Sequence, residues 1–342
     1  MTDETQMVEA LDARARRREE RRDFFRAFGA AAAIGGGLAL TSCGDGNSSP
    51  TPTPTGTGTA TPTPTPTPTA SGTAGTSDVD VLNFALNLEY LEAQFYAFAA
   101  NGTGLAAALL TGPSGTTPGA VTGGRKATLN DPVVANFARE IAQDEVAHVE
   151  FIRNALGSSA IAMPALDLSA TATSAFSVAA RAAGLIGAND TFDPYASDDN
   201  FLLAAYLFED IGVTAYRGAL PGIANTLIRQ AAAGILAAEA YHASMIRSAL
   251  YVRGLSTPSL IDATESISAA RDSLDGGTDL DQGVRPIGDQ SNITPFDPNT
   301  GLPFGRTTGQ VLNIAYLNRN AIATGGFFPA GVNGNIKTSA AN

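Results

Sequence analysis

The stretch Asp144-Glu145-Val146-Ala147-His148 contains a pattern that returns later in the chain as Glu239-Ala240-Tyr241-His242. The chain has two histidines, and each follows a glutamate by three positions. Residues three apart lie on the same face of a helix, so each segment directs a carboxylate and an imidazole toward one point. This spacing is typical of metal ligands on a helix.

Both segments lie in the middle of apolar stripes. Small and aliphatic residues recur with helical spacing across positions 138–155 and 235–249. A single Glu-x-x-His pattern is weak, because Glu and His are often solvated neighbours. Ionisable groups on a buried helix face are costly, however, unless they are paired or bind a cation. Two such stripes therefore predict a shared buried site.

Composition and charge exclude several other classes of protein. The 342 residues are 44% hydrophobic, which is ample for a large core. Cys43 is the only cysteine, so we expect no disulfide framework, zinc–thiolate site or thiol nucleophile in the folded part. Residues 1–43 hold seven acidic and seven basic residues, so the net charge of −12 falls on the remainder. Such an acidic body repels phosphate backbones, and nucleic acid is not an expected partner.

The N-terminal region reads as an export signal followed by a spacer. Arg21 and Arg22 resemble a twin-arginine (Tat) motif, and an Ala- and Gly-rich apolar run leads to a lipobox-like segment ending at Cys43. Residues 1–43 are therefore predicted to be a Tat lipoprotein signal, with Cys43 lipidated. Residues 44–77 are a Thr/Pro-rich linker without core-forming residues. We expect a protein anchored on the periplasmic or extracellular side of a bacterial membrane, which it contacts only through this lipid.

Caps and periodicity predict an all-α fold with a four-helix bundle at 78–254. The expected long helices span 78–100, 132–156, 199–220 and 224–253. A long crossover, 158–197, joins the second and third helices and carries one short helix near 173–185. Residues 255–342 form a loop-rich extension with helices expected at 266–274 and 308–317, and its phenylalanines predict that it packs on the bundle.

An internal repeat relates the two halves of this bundle. The first and third helices each carry a glutamate seven residues before a tyrosine, while the second and fourth carry Glu-x-x-His. The repeated pairs are Glu89 with Tyr96, and Glu209 with Tyr216. Both tyrosines are interpreted either as core residues or as partners of the metal ligands. Glu92 also lies on the inner stripe, where the third helix has Gly212 instead.

Two Glu-bearing helices and two Glu-x-x-His helices facing inward are the arrangement of ferritin-like di-iron and di-manganese proteins. The predicted ligands are Glu89, Glu145, His148, Glu209, Glu239 and His242. Four carboxylates neutralise two divalent cations, and mixed oxygen and imidazole ligands suit iron or manganese. The sequence does not distinguish between these two metals.

Three segments carry a resemblance to a known family. The run Asn83-Phe84-Ala85-Leu86-Asn87-Leu88-Glu89-Tyr90-Leu91-Glu92-Ala93-Gln94-Phe95-Tyr96, the segment Glu239-Ala240-Tyr241-His242-Ala243 and the tail 325–334 resemble ferritin-like domain proteins of the plant desiccation-related type. The resemblance covers roughly residues 78–336. It implies that Glu145 and Glu239 bridge two metals and that the other four ligands are terminal. Glu92 is either a seventh ligand or a carboxylate hydrogen-bonded to a tyrosine.

Three functions fit these features. The first is a di-metal redox enzyme that reacts with oxygen or peroxide as an oxidase, peroxidase or catalase. The second is metal binding or storage without turnover. The third is a structural, stress-protective surface protein in which hydrogen bonds alone hold the carboxylates. The sequence leaves the electron donor, the membrane and homo-oligomer formation open.

Overall fold

The computed structural model describes residues 77–113 and 116–342. The predicted export signal, with Arg21, Arg22 and Cys43, and nearly all of the predicted linker lie outside these residues. The helices of the described part are α1 (Asp78–Asn101), α2 (Pro132–Leu156), α3 (Ala175–Ala182), α4 (Asp198–Ala219), α5 (Thr226–Gly254), α6 (Pro258–Asp275) and α7 (Thr308–Ala315). Within that part of the chain, no helix combines the length and hydrophobicity needed to cross a membrane.

The four long helices α1, α2, α4 and α5 form the predicted bundle. Their ends lie within two residues of the predicted ones. Ser77 and Asp80 form a capping box at the start of α1, and Asp131 caps α2 ahead of Pro132. The main pairings are α1 with α2 and α4 with α5, and contacts of α2 with α5 and of α1 with α4 close the bundle.

A small parallel sheet, which the sequence analysis did not predict, joins the two long connections of the bundle. Strand β1 (Val121–Gly123) pairs with β2 (Leu166–Leu168), with Val121 opposite Leu166. Three residues are too few to show an alternating pattern, which explains the omission. The Tyr195 hydroxyl donates to the Leu168 carbonyl at 3.1 Å, so the crossover before α4 is fixed to this sheet.

The extension after α5 contains a longer helix than the sequence indicated. Helix α6 begins at Pro258, whereas the prediction placed its start at 266. Thr257 makes no side-chain capping bond, so the usual start signal is weak. Downstream, the Phe327 ring packs 4.9 Å from Phe208 of α4 and 5.0 Å from Phe176 of α3, measured between ring centroids.

Three fully buried arginines connect the extension to the bundle. Arg271 bonds Asp281 at 2.8 Å and Asp210 of α4 at 3.0 Å, while Arg306 bonds Asp281 at 2.7 Å. The remaining contacts of this network are Arg247 with Asp210 at 3.0 Å and Arg306 with Asp275 at 2.5 Å. Three arginines and three aspartates therefore neutralise one another inside the protein.

We expect Asp281→Ala to lower the free energy of unfolding by about 3–5 kcal/mol, because it leaves two buried guanidinium groups short of a partner. Asp262→Ala is the matched control, since this aspartate pairs with Arg285 on the exposed surface. Its loss should cost less than about 1 kcal/mol. Urea unfolding followed by circular dichroism measures both values. Equal effects of the two variants would contradict this account of the network.

Candidate metal centre

The structure brings all six predicted ligands together in the centre of the bundle. Each ligand is at least nine-tenths buried. They come from all four long helices: Glu89 from α1, Glu145 and His148 from α2, Glu209 from α4, and Glu239 and His242 from α5. Because the Glu-x-x-His segments lie in the buried stripes of α2 and α5, their side chains point inward.

His148 faces carboxylates from three helices. Its Nδ1 atom lies 3.2 Å from Glu89 Oε2, 3.4 Å from Glu239 Oε1 and 3.6 Å from Glu145 Oε1. Three oxygens from different helices around one ring nitrogen are an arrangement that a cation can share with the imidazole.

His242 occupies the corresponding place in the other half. Its Nδ1 atom lies 3.1 Å from Glu145 Oε1 and 3.6 Å from Glu209 Oε2. Its outer nitrogen, Nε2, lies 3.4 Å from Asp144 Oδ2, a contact that the sequence analysis missed although Asp144 directly precedes Glu145. A carboxylate at the outer nitrogen favours a proton there and leaves Nδ1 free to bind a metal.

These distances define two groups of atoms, each with a diameter below 4.8 Å. The first group consists of Glu89, Glu145, His148 and Glu239, and the second of Glu145, Glu209 and His242. Glu145 takes part in both groups, as expected of a bridging ligand, whereas Glu239 takes part only in the first. A bridging role for Glu239 stays a prediction.

Most of the unpartnered buried polar atoms in the described residues belong to this cluster. Nine buried side-chain nitrogen and oxygen atoms in the described residues have no hydrogen-bond partner, and eight of them belong to the six predicted ligands. The eight atoms are Glu89 Oε2, both carboxylate oxygens of Glu145 and of Glu239, Glu209 Oε2, and Nδ1 of His148 and His242. Buried polar atoms are normally satisfied, and bound cations would satisfy these.

The pKa values of the glutamates and histidines in the cluster reflect the same crowding of charged groups. Burial raises the pKa of Glu89 to about 7 and, together with nearby carboxylates, holds the pKa of Glu239 well above its ordinary range. Burial alone would also raise the pKa of Glu145. The imidazoles of His148 and His242 have the larger effect, however, and lower the pKa of this carboxyl. Burial would lower the pKa of both imidazoles, but the carboxylates raise it. Cations must displace the bound protons, so metal affinity should fall as the pH falls.

Two tyrosines cross the bundle to hold the terminal carboxylates. Tyr96 of α1 donates to Glu209 Oε1 of α4 at 2.5 Å, and Tyr216 of α4 donates to Glu89 Oε1 of α1. In Glu209 and in Glu89 the Oε1 atom is thus held by a phenol. The Oε2 atom of each faces an imidazole and has no hydrogen-bond partner. Both tyrosines are therefore partners of the predicted ligands as well as core residues.

Of the two alternatives given for Glu92, the described residues do not show the bond to a tyrosine. The hydroxyls of Tyr96 and Tyr216 donate to the ligand carboxylates instead. Glu92 also lies outside both groups of clustered atoms. Burial, together with the carboxylates around it, raises its pKa well above the ordinary value.

A sequence model described as a ferritin-like domain matches residues 77–252, which is half of the chain. The chain belongs to the ferritin-like domain family. Two relatives share most of its length. "Ferritin-like catalase Nec2" of Nesocodon mauritianus is 30% identical over 76% of this ferritin-like chain and 85% of its own. "Desiccation-related protein PCC13-62" of Craterostigma plantagineum is 35% identical over 69% of this chain and 71% of its own. No solved structure gave a significant match.

We expect Tyr96→Phe and Tyr216→Phe each to weaken metal binding by about 10- to 100-fold, because a terminal carboxylate loses the bond that orients it. Tyr195→Phe is the control, since its buried hydroxyl bonds a backbone carbonyl away from the cluster. Competition with a chromophoric chelator measures the affinity. Unchanged affinity in both cluster variants would show that the phenols do not orient the ligands.

Proposed function

We propose that this ferritin-like protein binds two divalent cations, iron or manganese, and decomposes hydrogen peroxide as a catalase. The observation that carries the proposal is the set of eight unsatisfied atoms on the six predicted ligands. Four carboxylates offset the charge of two divalent cations, and the mixture of oxygen and imidazole donors suits iron or manganese. The residues present therefore fit such a pair of ions.

The chain contributes the placement of the metal ligands and the exclusion of water to this chemistry. When bound, the metal pair would supply and take back the two electrons that each peroxide molecule exchanges as two peroxides become two waters and one dioxygen. The bundle keeps bulk water from the cluster, since Glu145 and Glu239 are fully buried.

The names of the two relatives support two different functions, peroxide decomposition and protection without turnover. The name of one relative describes a ferritin-like catalase, which favours peroxide over other oxidants. The other is named as a desiccation-related protein, which favours a protective role without turnover. In that second candidate function the same residues would bind metal and leave peroxide unchanged. Oxygen release from peroxide distinguishes the two.

Metal-loaded wild-type protein should release oxygen from hydrogen peroxide, and His148→Ala or Glu145→Ala should lower the rate at least about 100-fold by removing a ligand. Glu150→Ala is the control, because Glu150 lies on the exposed side of the same helix. An oxygen electrode and metal analysis of the same samples give rate and occupancy. Full metal occupancy with no oxygen release from the wild type would replace the catalase proposal with the protective one.

We also propose that the chain is exported by the Tat route and anchored through lipid on Cys43. Tat export carries folded proteins, so the cluster could take its metal inside the cell, where copper and zinc compete less for the site. Replacing Arg21 and Arg22 with lysine should trap a metal-loaded precursor inside the cell. Cell fractionation with metal analysis tests this, and undiminished export of the variant would rule out the Tat assignment.

A further inference from the structure

A small cavity lies directly beside the cluster, between α1, α4 and α7. Its volume is about 30 Å³. Its walls are apolar and include Leu88 and Leu91 of α1, Ile211 of α4, and Phe327 of the extension. Glu92 is the one lining residue with a polar side chain. The extension thus completes the cavity, because α7 and Phe327 form its outer wall.

Glu92 has no hydrogen-bond partner to explain its position. Its side chain is 5% exposed, and within residues 77–113 and 116–342 no group donates a hydrogen bond to its carboxyl. It also lies outside both groups of clustered ligand atoms. A buried carboxyl without a hydrogen-bond partner is costly, and a small molecule that bonds Glu92 from the cavity would offset this cost.

Gly212 lines this cavity and lets the cluster approach it closely. A Cβ atom at this position would collide with Glu239 Oε2 and would lie 3.4 Å from Glu92 Oε1. The glycine therefore lets Glu239 lie against α4, next to the Glu92 side chain. In the internal repeat Gly212 is the counterpart of Glu92, so the two halves of the bundle differ beside this cavity.

We propose that this cavity is the binding site for hydrogen peroxide and that the Glu92 carboxyl accepts a hydrogen bond from the bound molecule. A volume of about 30 Å³ exceeds the roughly 10–15 Å³ that holds one water, so it suits a compact molecule with two heavy atoms. The apolar walls disfavour ions. The identity of the ligand rests on the proposed function, whereas the site itself rests on the cavity and Glu92.

Crystals of the zinc-loaded protein test binding without turnover, because zinc has no redox chemistry. After a soak in hydrogen peroxide, wild type and Glu92→Gln should show a two-atom molecule in the cavity beside residue 92. Glu92→Leu should show none, since leucine offers no acceptor. Peroxide bound elsewhere, or an identical bound molecule in the leucine variant, would overturn the proposal. This result does not depend on whether the protein is a catalase.

Kinetics of the iron- or manganese-loaded protein provide the second test. Glu92→Leu should raise the KM for hydrogen peroxide by about tenfold or more with kcat changed far less, while Glu92→Gln stays close to wild type. Both variants should keep two metals per chain, because Glu92 is not a ligand in this account. An unchanged KM in the leucine variant, or loss of metal from it, would overturn the proposal. A wild type that binds peroxide in the crystal but releases no oxygen would refute only the catalase function.

Discussion

Four carboxylates and two imidazoles meet in the core of this protein without the hydrogen bonds that would satisfy them. Their burial together is a large cost, which bound cations would offset. All four long helices of the bundle contribute to this cluster. Helices α1, α2, α4 and α5 each supply a glutamate, and Tyr96 and Tyr216 cross between the halves to hold two of them.

The Arg/Asp network behind α4 shows the contrasting case of buried charges that neutralise one another. Asp210 contacts Arg247 and Arg271 at 3.0 Å, whereas the adjacent Glu209 faces His242. One helix therefore connects the network on one side with the candidate metal centre on the other. The extension contributes to both, because Arg271 anchors it and Phe327 forms a wall of the cavity beside the cluster.

The sequence predicted the bundle and the meeting of six buried side chains in its centre because both leave a local signature. A Glu-x-x-His segment in an apolar stripe indicates, within one helix turn, that its two side chains face the core. Capping residues such as Ser77 indicate where helices start. Features that depend on distant residues were missed or mistaken. The arginine network has no characteristic spacing, and the start of α6 at Pro258 lacks a side-chain cap. The hydrogen-bond partners of Tyr96 and Tyr216 are set by how the two halves of the bundle meet.

Anomalous diffraction from crystals of the metal-loaded protein tests the central claim most directly. The account predicts two metal peaks per chain on either side of Glu145. One should lie among Glu89, His148 and Glu239, and the other between Glu209 and His242. The account would be contradicted if crystals with an intact cluster showed no anomalous peak within it. It would also be contradicted if metal were bound only at the protein surface.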